Sequence, residues 1–300
     1  MNEPRRAKRR CVDGVLLLDK PAGMSSNAAL QTARRLFNAE KAGHTGTLDP
    51  MATGLLPLCF GEATKFAGTL LDADKTYLAL VRLGVVTTTA DAEGEVLATR
   101  PVTAGEREVR TVLERFVGEI EQVPPMYSAL KRGGKPLYEL ARQGIEVERA
   151  ARRVTIHAIE MLAWHGEAFA MRVACSKGTY VRTLAADIGA ALGCGAHLAA
   201  LRRTRVGALD IAQAVTLAAI EATPRDVRDQ LLSPIDTLLA DLPIAALTAA
   251  EAARLLKGQE VRWIGKSGQL YRLVAPQGFI GVGALVDDAW LKPHRLIASS

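Results

Sequence analysis

The 300-residue chain has few cysteines, and none of them is close to another: Cys11, Cys59, Cys175 and Cys194 are scattered. That spacing excludes a sequence-readable disulfide framework and a zinc knuckle. The five histidines (His44, His157, His165, His197 and His294) also miss metal-ligand spacing, so no metal is expected. No run of about 18 apolar residues occurs, and no membrane span is expected. The basic N-terminus is not followed by an apolar stretch and a small-residue cleavage site, which predicts no secretory signal. Internal repeats and low-complexity tracts are missing too. These absences together predict a soluble, cytoplasmic protein in a reducing compartment.

Hydrophobic residues make up 49% of the chain, enough at this length for one large domain plus a small one. The formal net charge is +6, but it is unevenly placed. Arg5, Arg6, Lys8, Arg9 and Arg10 against Glu3 concentrate most of it in a basic tail, residues 1–11, expected to be disordered. Two interior basic groups stand on a near-neutral body. One comprises Lys131, Arg132, Lys135, Arg142, Arg149, Arg152 and Arg153; the other is the dense triplet Arg202, Arg203 and Arg205. Local basic patches of this kind suit a defined nucleic-acid track, and they also suit solvated surface charge.

Periodicity predicts strands over 13–18, 55–60, 76–86, 153–162, 168–175 and 197–206. It predicts helices after a Ser25 or Ser26 cap, over 109–116 and 137–142, and over about 180–192. Residues 124–153 open with Pro-Pro, contain Gly133-Gly134 and are rich in cations, which reads as an insertion. Residues 234–243 read as a linker, and the last 55 or so as a helix followed by short strands. Strands and helices do not strictly alternate, so an α+β fold with a mixed, largely antiparallel sheet is expected.

The segment Gly43-His44-Thr45-Gly46-Thr47-Leu48-Asp49-Pro50-Met51-Ala52-Thr53-Gly54-Leu55-Leu56-Pro57 sets one carboxylate among glycines, prolines and a histidine. Glycine permits positive φ and close backbone approach, and proline pushes the preceding aspartate toward extended geometry. Such a loop can orient a lone acid at a cleft. The same composition also suits an ordinary tight turn in which the aspartate bonds its own backbone. Lys20-Pro21 after the first strand, Lys75-Thr76-Tyr77 at the head of a long strand, and Lys177-Gly178-Thr179-Tyr180-Val181-Arg182 at a helix start add further polar groups. An apolar run through Leu201 leads into the arginine triplet.

Taken together, these segments resemble the TruB family of pseudouridine synthases. The matching pieces are Gly14-Val15 through Lys20-Pro21-Ala22-Gly23-Met24-Ser25, the Gly43 to Pro57 block, Lys75-Thr76-Tyr77, and Ser176 through Arg182, in the family's order. The resemblance implies a catalytic domain over 12–240, with 124–153 as a thumb-like insertion, and a PUA-like module over 245–300. It implies that uridine-55 in the T-loop of tRNA is isomerised to pseudouridine by a protein that needs no cofactor and no metal and works as a monomer.

By the same resemblance, Asp49 is the nucleophile and Arg182 its partner, lowering the carboxyl pKa. Tyr77 stacks on the target base and assists proton removal from C5. Tyr180 and Leu201 line the uracil pocket, while Lys20 and Pro21 support its floor on the substrate side. His44 fills space vacated by flipped nucleotides. Lys131, Arg132, Arg149, Arg152 and Arg153 meet RNA phosphates. Two other readings stay open: an RNA-binding, tRNA-folding protein, and a guide-RNA-dependent synthase of the dyskerin type.

Overall fold

A computed structural model describes residues 9–128, 130–287 and 289–298. Most of the basic tail, residues 1–8, lies outside the described residues. From Arg10 onward the chain is tied down: the Arg10 side chain donates to the Asp229 carboxylate and the Phe37 carbonyl.

In chain order the strands are β1 (Gly14–Lys20), β2 (Ala42–His44), β3 (Thr53–Phe60), β4 (Lys75–Leu83), β5 (Val85–Thr87), β6 (Val96–Thr99), β7 (Gly118–Gln122), β8 (Lys131–Arg132), β9 (Lys135–Pro136), β10 (Arg152–Trp164), β11 (Ala168–Cys175), β12 (Ala196–Val206), β13 (Leu209–Asp210) and β14 (Val215–Thr216). The last five are β15 (Ile244–Ala246), β16 (Val261–Arg262), β17 (Leu270–Ala275), β18 (Gly278–Val286) and β19 (Trp290–Leu296). The helices are α1 (Ser26–Leu36), α2 (Ala67–Leu71), α3 (Glu106–Glu114), α4 (Leu137–Arg142), α5 (Val181–Ala191), α6 (Leu217–Ala222) and α7 (Ala249–Leu256).

The large sheet runs β14-β1-β3-β12-β4-β11-β10-β7, with β13 beside β12 and β2 beside β3. The β1/β14 and β3/β12 pairs are parallel and the others antiparallel, giving the expected mixed, mainly antiparallel sheet. Both faces of its centre are covered, which explains why β1 is apolar without alternation. Leu16 and Leu18 enter a core shared with α1, α3 and α5, while Val15 and Leu17 enter a second core on the opposite face. The period of two across a pleated strand places them so.

The long strand expected over 76–86 stops at Leu83 because Gly84 takes φ +79°. The backbone turns there, and β5 leaves to pair with β6. A Cβ on Gly84 would meet the Arg100 carbonyl at 2.7 Å, so the break needs glycine. Residues 234–243 correct the linker expectation. They contain a 3-10 turn, Ile235–Leu239, whose Leu238 and Leu239 are buried in the second core. That core also takes Val282, with Leu270, Phe279 and Ile297 packed against it, and so joins the C-terminal sheet β15-β17-β18-β19-β16 to the main body. The β15 strand is an addition to the expected order. Among the described residues, no helix is long and apolar enough to cross a membrane.

Candidate active site

The Asp49 loop is held from three sides before any charge is considered. Ser25 caps α1, accepting from the Ala28 amide, which leaves Ser26 free for another task. The Ser26 hydroxyl accepts from the Leu48 amide at 2.8 Å and donates to the Leu48 carbonyl at 3.0 Å. The Gly23 amide donates to the Pro50 carbonyl, and the Ala52 amide to the Asp49 carbonyl. The main chain is therefore a tight turn, as composition suggested. Its aspartate side chain, however, faces a cation from a distant helix.

That cation is Arg182, in the first turn of α5 and 4% exposed. Its Nε lies 2.9 Å from Asp49 Oδ2, and its Nη1 lies 3.2 Å from Asp91 Oδ2. It also donates from Nη1 to the Thr89 carbonyl and from Nη2 to the Tyr127 carbonyl. One guanidinium thus serves two carboxylates. The sharing bears on the expectation that Arg182 lowers the Asp49 pKa. Burial pushes the Asp49 carboxyl above its ordinary value of 3.8, with Arg182 opposing and Asp91 adding to the rise. The arginine's own effect is in the expected downward direction, and burial outweighs it, so the net shift is upward. With 35% of its side chain open to solvent, Asp49 is moderated by water in the cleft.

Asp91 is not among the residues that the sequence singles out. The loop is anchored by backbone bonds to β12: Leu198 donates to the Ala90 carbonyl, and Ala92 donates to Leu198. Ala90 sits at φ +59°, an uncommon conformation for a residue with a side chain. Thr89 and the Glu93 amide donate to Asp91 Oδ1, leaving Oδ2 for Arg182. A lone aspartate in a Thr-rich loop carries no signal of this role. Register with β12 creates it.

A cavity of about 230 Å³ opens beside the pair, lined by Asp49, Leu71, Lys75, Tyr77, Tyr180, Arg182, Leu201 and Arg203 among others. It is smaller than the ~300–1,000 Å³ of pockets that enclose whole drug-sized ligands, a size suited to one ring. Tyr77 and Leu201 are almost buried, with the phenol pushed above its ordinary pKa by burial. Tyr180 caps α5 on its N-terminal side. Its main chain is clasped by buried Gln122, whose amide oxygen accepts from the Tyr180 amide and whose Nε2 donates to the Tyr180 carbonyl. Gln122, at the end of β7 just before the insertion, and Tyr127 within it therefore tie this part of the chain to the site, a link the sequence does not show.

Other expected residues fall elsewhere. Lys20 is fully buried and lines no part of the cavity. Its Nζ donates to the carbonyls of Pro21, Met24 and Pro50, fastening the floor from beneath; burial lowers its pKa to about 8. It stands beneath the floor and not among the groups that line the cavity. His44 ends β2 and is half-buried beside the cavity without lining it. Burial, reinforced by the Arg203 cation, lowers its pKa, which favours the neutral ring.

The arginine triplet does not form a surface track. Arg203 is 2% exposed, Arg202 holds Asp19 through two hydrogen bonds, and Arg205 pairs with Asp210. In the insertion, Arg149, Arg152 and Arg153 stand at the head of β10, and Arg149 meets Glu146 at 3.7 Å. Lys131 and Arg132 form β8, and their side chains lie outside the described residues. Cys59 and Cys175 are buried thiols pushed up to about 12 and about 11, poor nucleophiles. Among the described residues, no group of three His, Cys, Asp or Glu side chains is placed to hold a metal ion.

A carboxylate oriented by a buried arginine, in a ring-sized pocket with two tyrosines and three leucines, is equipped for nucleophilic work on a planar substrate. Comparison with known proteins agrees. Residues 34–181 match the model of the TruB family pseudouridylate synthase N-terminal domain. Residues 182–240 match the tRNA pseudouridylate synthase B C-terminal domain, and 243–297 match the pseudouridine synthase II TruB C-terminal model. The chain belongs to the TruB family of pseudouridine synthases and is, as such, an isomerase.

Among its relatives, tRNA pseudouridine synthase B of Azoarcus sp. (strain BH72) is 62% identical over 295 residues, covering 98% of each chain. Its namesake from Aromatoleum aromaticum (strain DSM 19018 / LMG 30748 / EbN1) is 58% identical over 294 residues, covering 98% of this chain and 96% of that one. In solved structures, a chain of a Cbf5-Nop10-Gar1 complex superposes with TM-score 0.74 at 27% identity, covering 97% of this chain and 87% of that one. An H/ACA RNP bound to a substrate RNA containing 2'-deoxyuridine gives 0.73 at 25%, covering 95% and 85%.

Proposed function

We propose that this enzyme isomerises uridine-55 in the T-loop of tRNA to pseudouridine, with Asp49 as the nucleophile. The observation that carries this is the Asp49–Arg182 pair at the edge of a ring-sized cavity, in a chain closely related to enzymes named for tRNA. The reaction breaks the bond from C1′ to N1 and makes one from C1′ to C5. No atom is gained: C5 gives up a proton and N1 ends with one. Asp49 adds to C1′ of the ribose or to C6 of the base and holds the fragments together while the glycosidic bond is open. Arg182 keeps the carboxylate ionised enough to attack and fixes its rotamer.

Tyr77, Tyr180 and Leu201 provide the walls against which the uracil turns. Because the base is stacked within the folded T-loop, it must be extruded, at a cost of a few kcal/mol. His44, neutral and beside the cavity, is suited to pack where the base had been. The insertion closes over the RNA, and Arg149, Arg152 and Arg153 meet phosphates. The protein acts as a cytoplasmic monomer.

A specific observation favours a second reading. The fold follows that of a protein solved in complex with Nop10 and Gar1, so a guide-dependent mode is worth testing. Identity near 60% along nearly the full chain to enzymes named tRNA pseudouridine synthase B weighs the other way. Purified protein, incubated with unmodified tRNA and no guide RNA, should yield a single pseudouridine in the T-loop on chemical mapping. Modification at another position would assign a different specificity. Tight tRNA binding without product would make the protein a binder.

A further inference from the structure

Arg203 is the least explained charge in the molecule. It lies on β12 directly across from Tyr77 on β4, so the two side chains share one face of the sheet. Both line the cavity. The guanidinium is 2% exposed; its Nε donates to the Leu55 carbonyl at 2.7 Å, and its Nη2 is buried with no hydrogen-bond partner. Among the described residues, no carboxylate lies within ion-pair distance of it, whereas the equally buried Arg182 has two. Burying an unpaired cation is costly, and nothing in the packing of β12 requires one. An apolar side chain would fill a sheet interior at lower cost.

The position suggests what offsets this. Arg203 faces Tyr77 across the β4/β12 pair, and its Nη2 has protons to give and no partner in the resting protein. An arginine side chain can only donate hydrogen bonds, whereas a phenol both donates and accepts. A phenol beside that cation turns its oxygen lone pairs to the arginine and its proton away from it, toward the cavity both residues line. We propose that Arg203 is the positioning residue that makes Tyr77 an oriented hydrogen-bond donor to the detached uracil, with its unpaired charge stabilising the negative charge that the ring carries while the glycosidic bond is open. This deepens the proposed function and rests on it. The substrate group addressed is an oxygen or deprotonated nitrogen of the free pyrimidine ring. The phenol retains its proton in the resting enzyme, in keeping with the rise that burial gives it.

The test is a double-mutant cycle of Arg203→Met and Tyr77→Phe, read as single-turnover pseudouridine formation on unmodified tRNA. Each single variant should lose roughly 10- to 1,000-fold in rate, the range for removing one preorganised donor. Their tRNA Kd values should stay within about threefold of wild type. The double variant should be no slower than the slower single variant, because Arg203 acts through the phenol. Arg203→Lys, which keeps a donor and the charge, should recover part of the rate only when Tyr77 is present. Losses that multiply, or an effect confined to Kd, would overturn the assignment and make Arg203 a structural or RNA-affinity residue. Should Arg203→Met fail to fold, the Arg203→Lys pair of measurements, with and without Tyr77→Phe, decides by the same criterion. A wild-type protein that forms no pseudouridine in tRNA would defeat the functional reading itself. An active wild type with multiplying losses would defeat only the role of Arg203.

Discussion

The tightest backbone approach at the site predicts the effect of a single methyl group. Gly54 opens the body of β3 with φ +102°, facing Arg203 across the short parallel contact with β12. A Cβ built there would sit 2.2 Å from the Arg203 carbonyl oxygen and 2.8 Å from its amide nitrogen. The obstacle is main chain, which cannot rotate aside, so β3 and β12 must part by close to an ångström in Gly54→Ala. Forcing an L-residue to positive φ costs about 1–2 kcal/mol, and overpacking adds about 1–3. The sum, roughly 2–5 kcal/mol, is a large share of the about 5–15 kcal/mol that keeps a typical protein folded.

Gly23→Ala isolates the first contribution, since Gly23 has φ +80° with nothing within 4 Å of a Cβ. Urea unfolding of both variants should show Gly54→Ala losing at least twice as much stability as Gly23→Ala. Where the Gly54→Ala protein is still folded, its single-turnover rate should fall more than about tenfold, because the strand that moves carries Arg203 and Leu201. Equal destabilisation of the two variants, or full activity in Gly54→Ala, would refute the claim that β3 and β12 are held at a separation only glycine allows.

Asp49→Asn should abolish pseudouridine formation while tRNA binding persists, and detectable turnover above a trace would remove Asp49 as nucleophile. The same variant should lose no more than about 1 kcal/mol of stability at neutral pH. The folded pKa of Asp49 is raised, so any stabilisation linked to its protonation is present below the ordinary aspartate range and is already lost at neutrality, as Arg182 keeps Asp91. Rate measured against pH should accordingly fall on the acid side at a pH above the usual carboxylate range, since the nucleophile must be ionised; a limb at or below 3.8 would contradict the burial argument. Asp91→Asn should cost about 3 kcal/mol in thermal or urea unfolding and most of the activity, because Asp91 is the fully buried partner of Arg182, unlike the solvent-open Asp49. Unchanged activity would show that Asp49 alone holds Arg182. Neutralising Arg149, Arg152 and Arg153 together should weaken tRNA binding and reduce the slope of log K against log salt by up to about 2. An unaltered slope would take the head of β10 out of the RNA path.

What the sequence determined by itself was local and chemical. Hydrophobic runs located β1, β3, β10, β11 and β12, and the residue pattern around Asp49, Tyr77, Tyr180 and Arg182 carried the family likeness. It could also tell that the Asp49 segment turns, because glycine and proline act on their own dihedral angles. Everything that depends on two distant strands meeting was left to the tertiary structure. Lys20 and Arg203 look like solvated cations in a string of letters, yet one is fully buried under three carbonyls and the other is buried across from Tyr77. Asp91 looks like any loop acid, yet backbone pairing with Leu198 delivers it to Arg182. Even the sign of the Asp49 pKa shift needed the fold, because an arginine partner was implied only by the family likeness, while desolvation is set by what the rest of the chain places around the carboxylate.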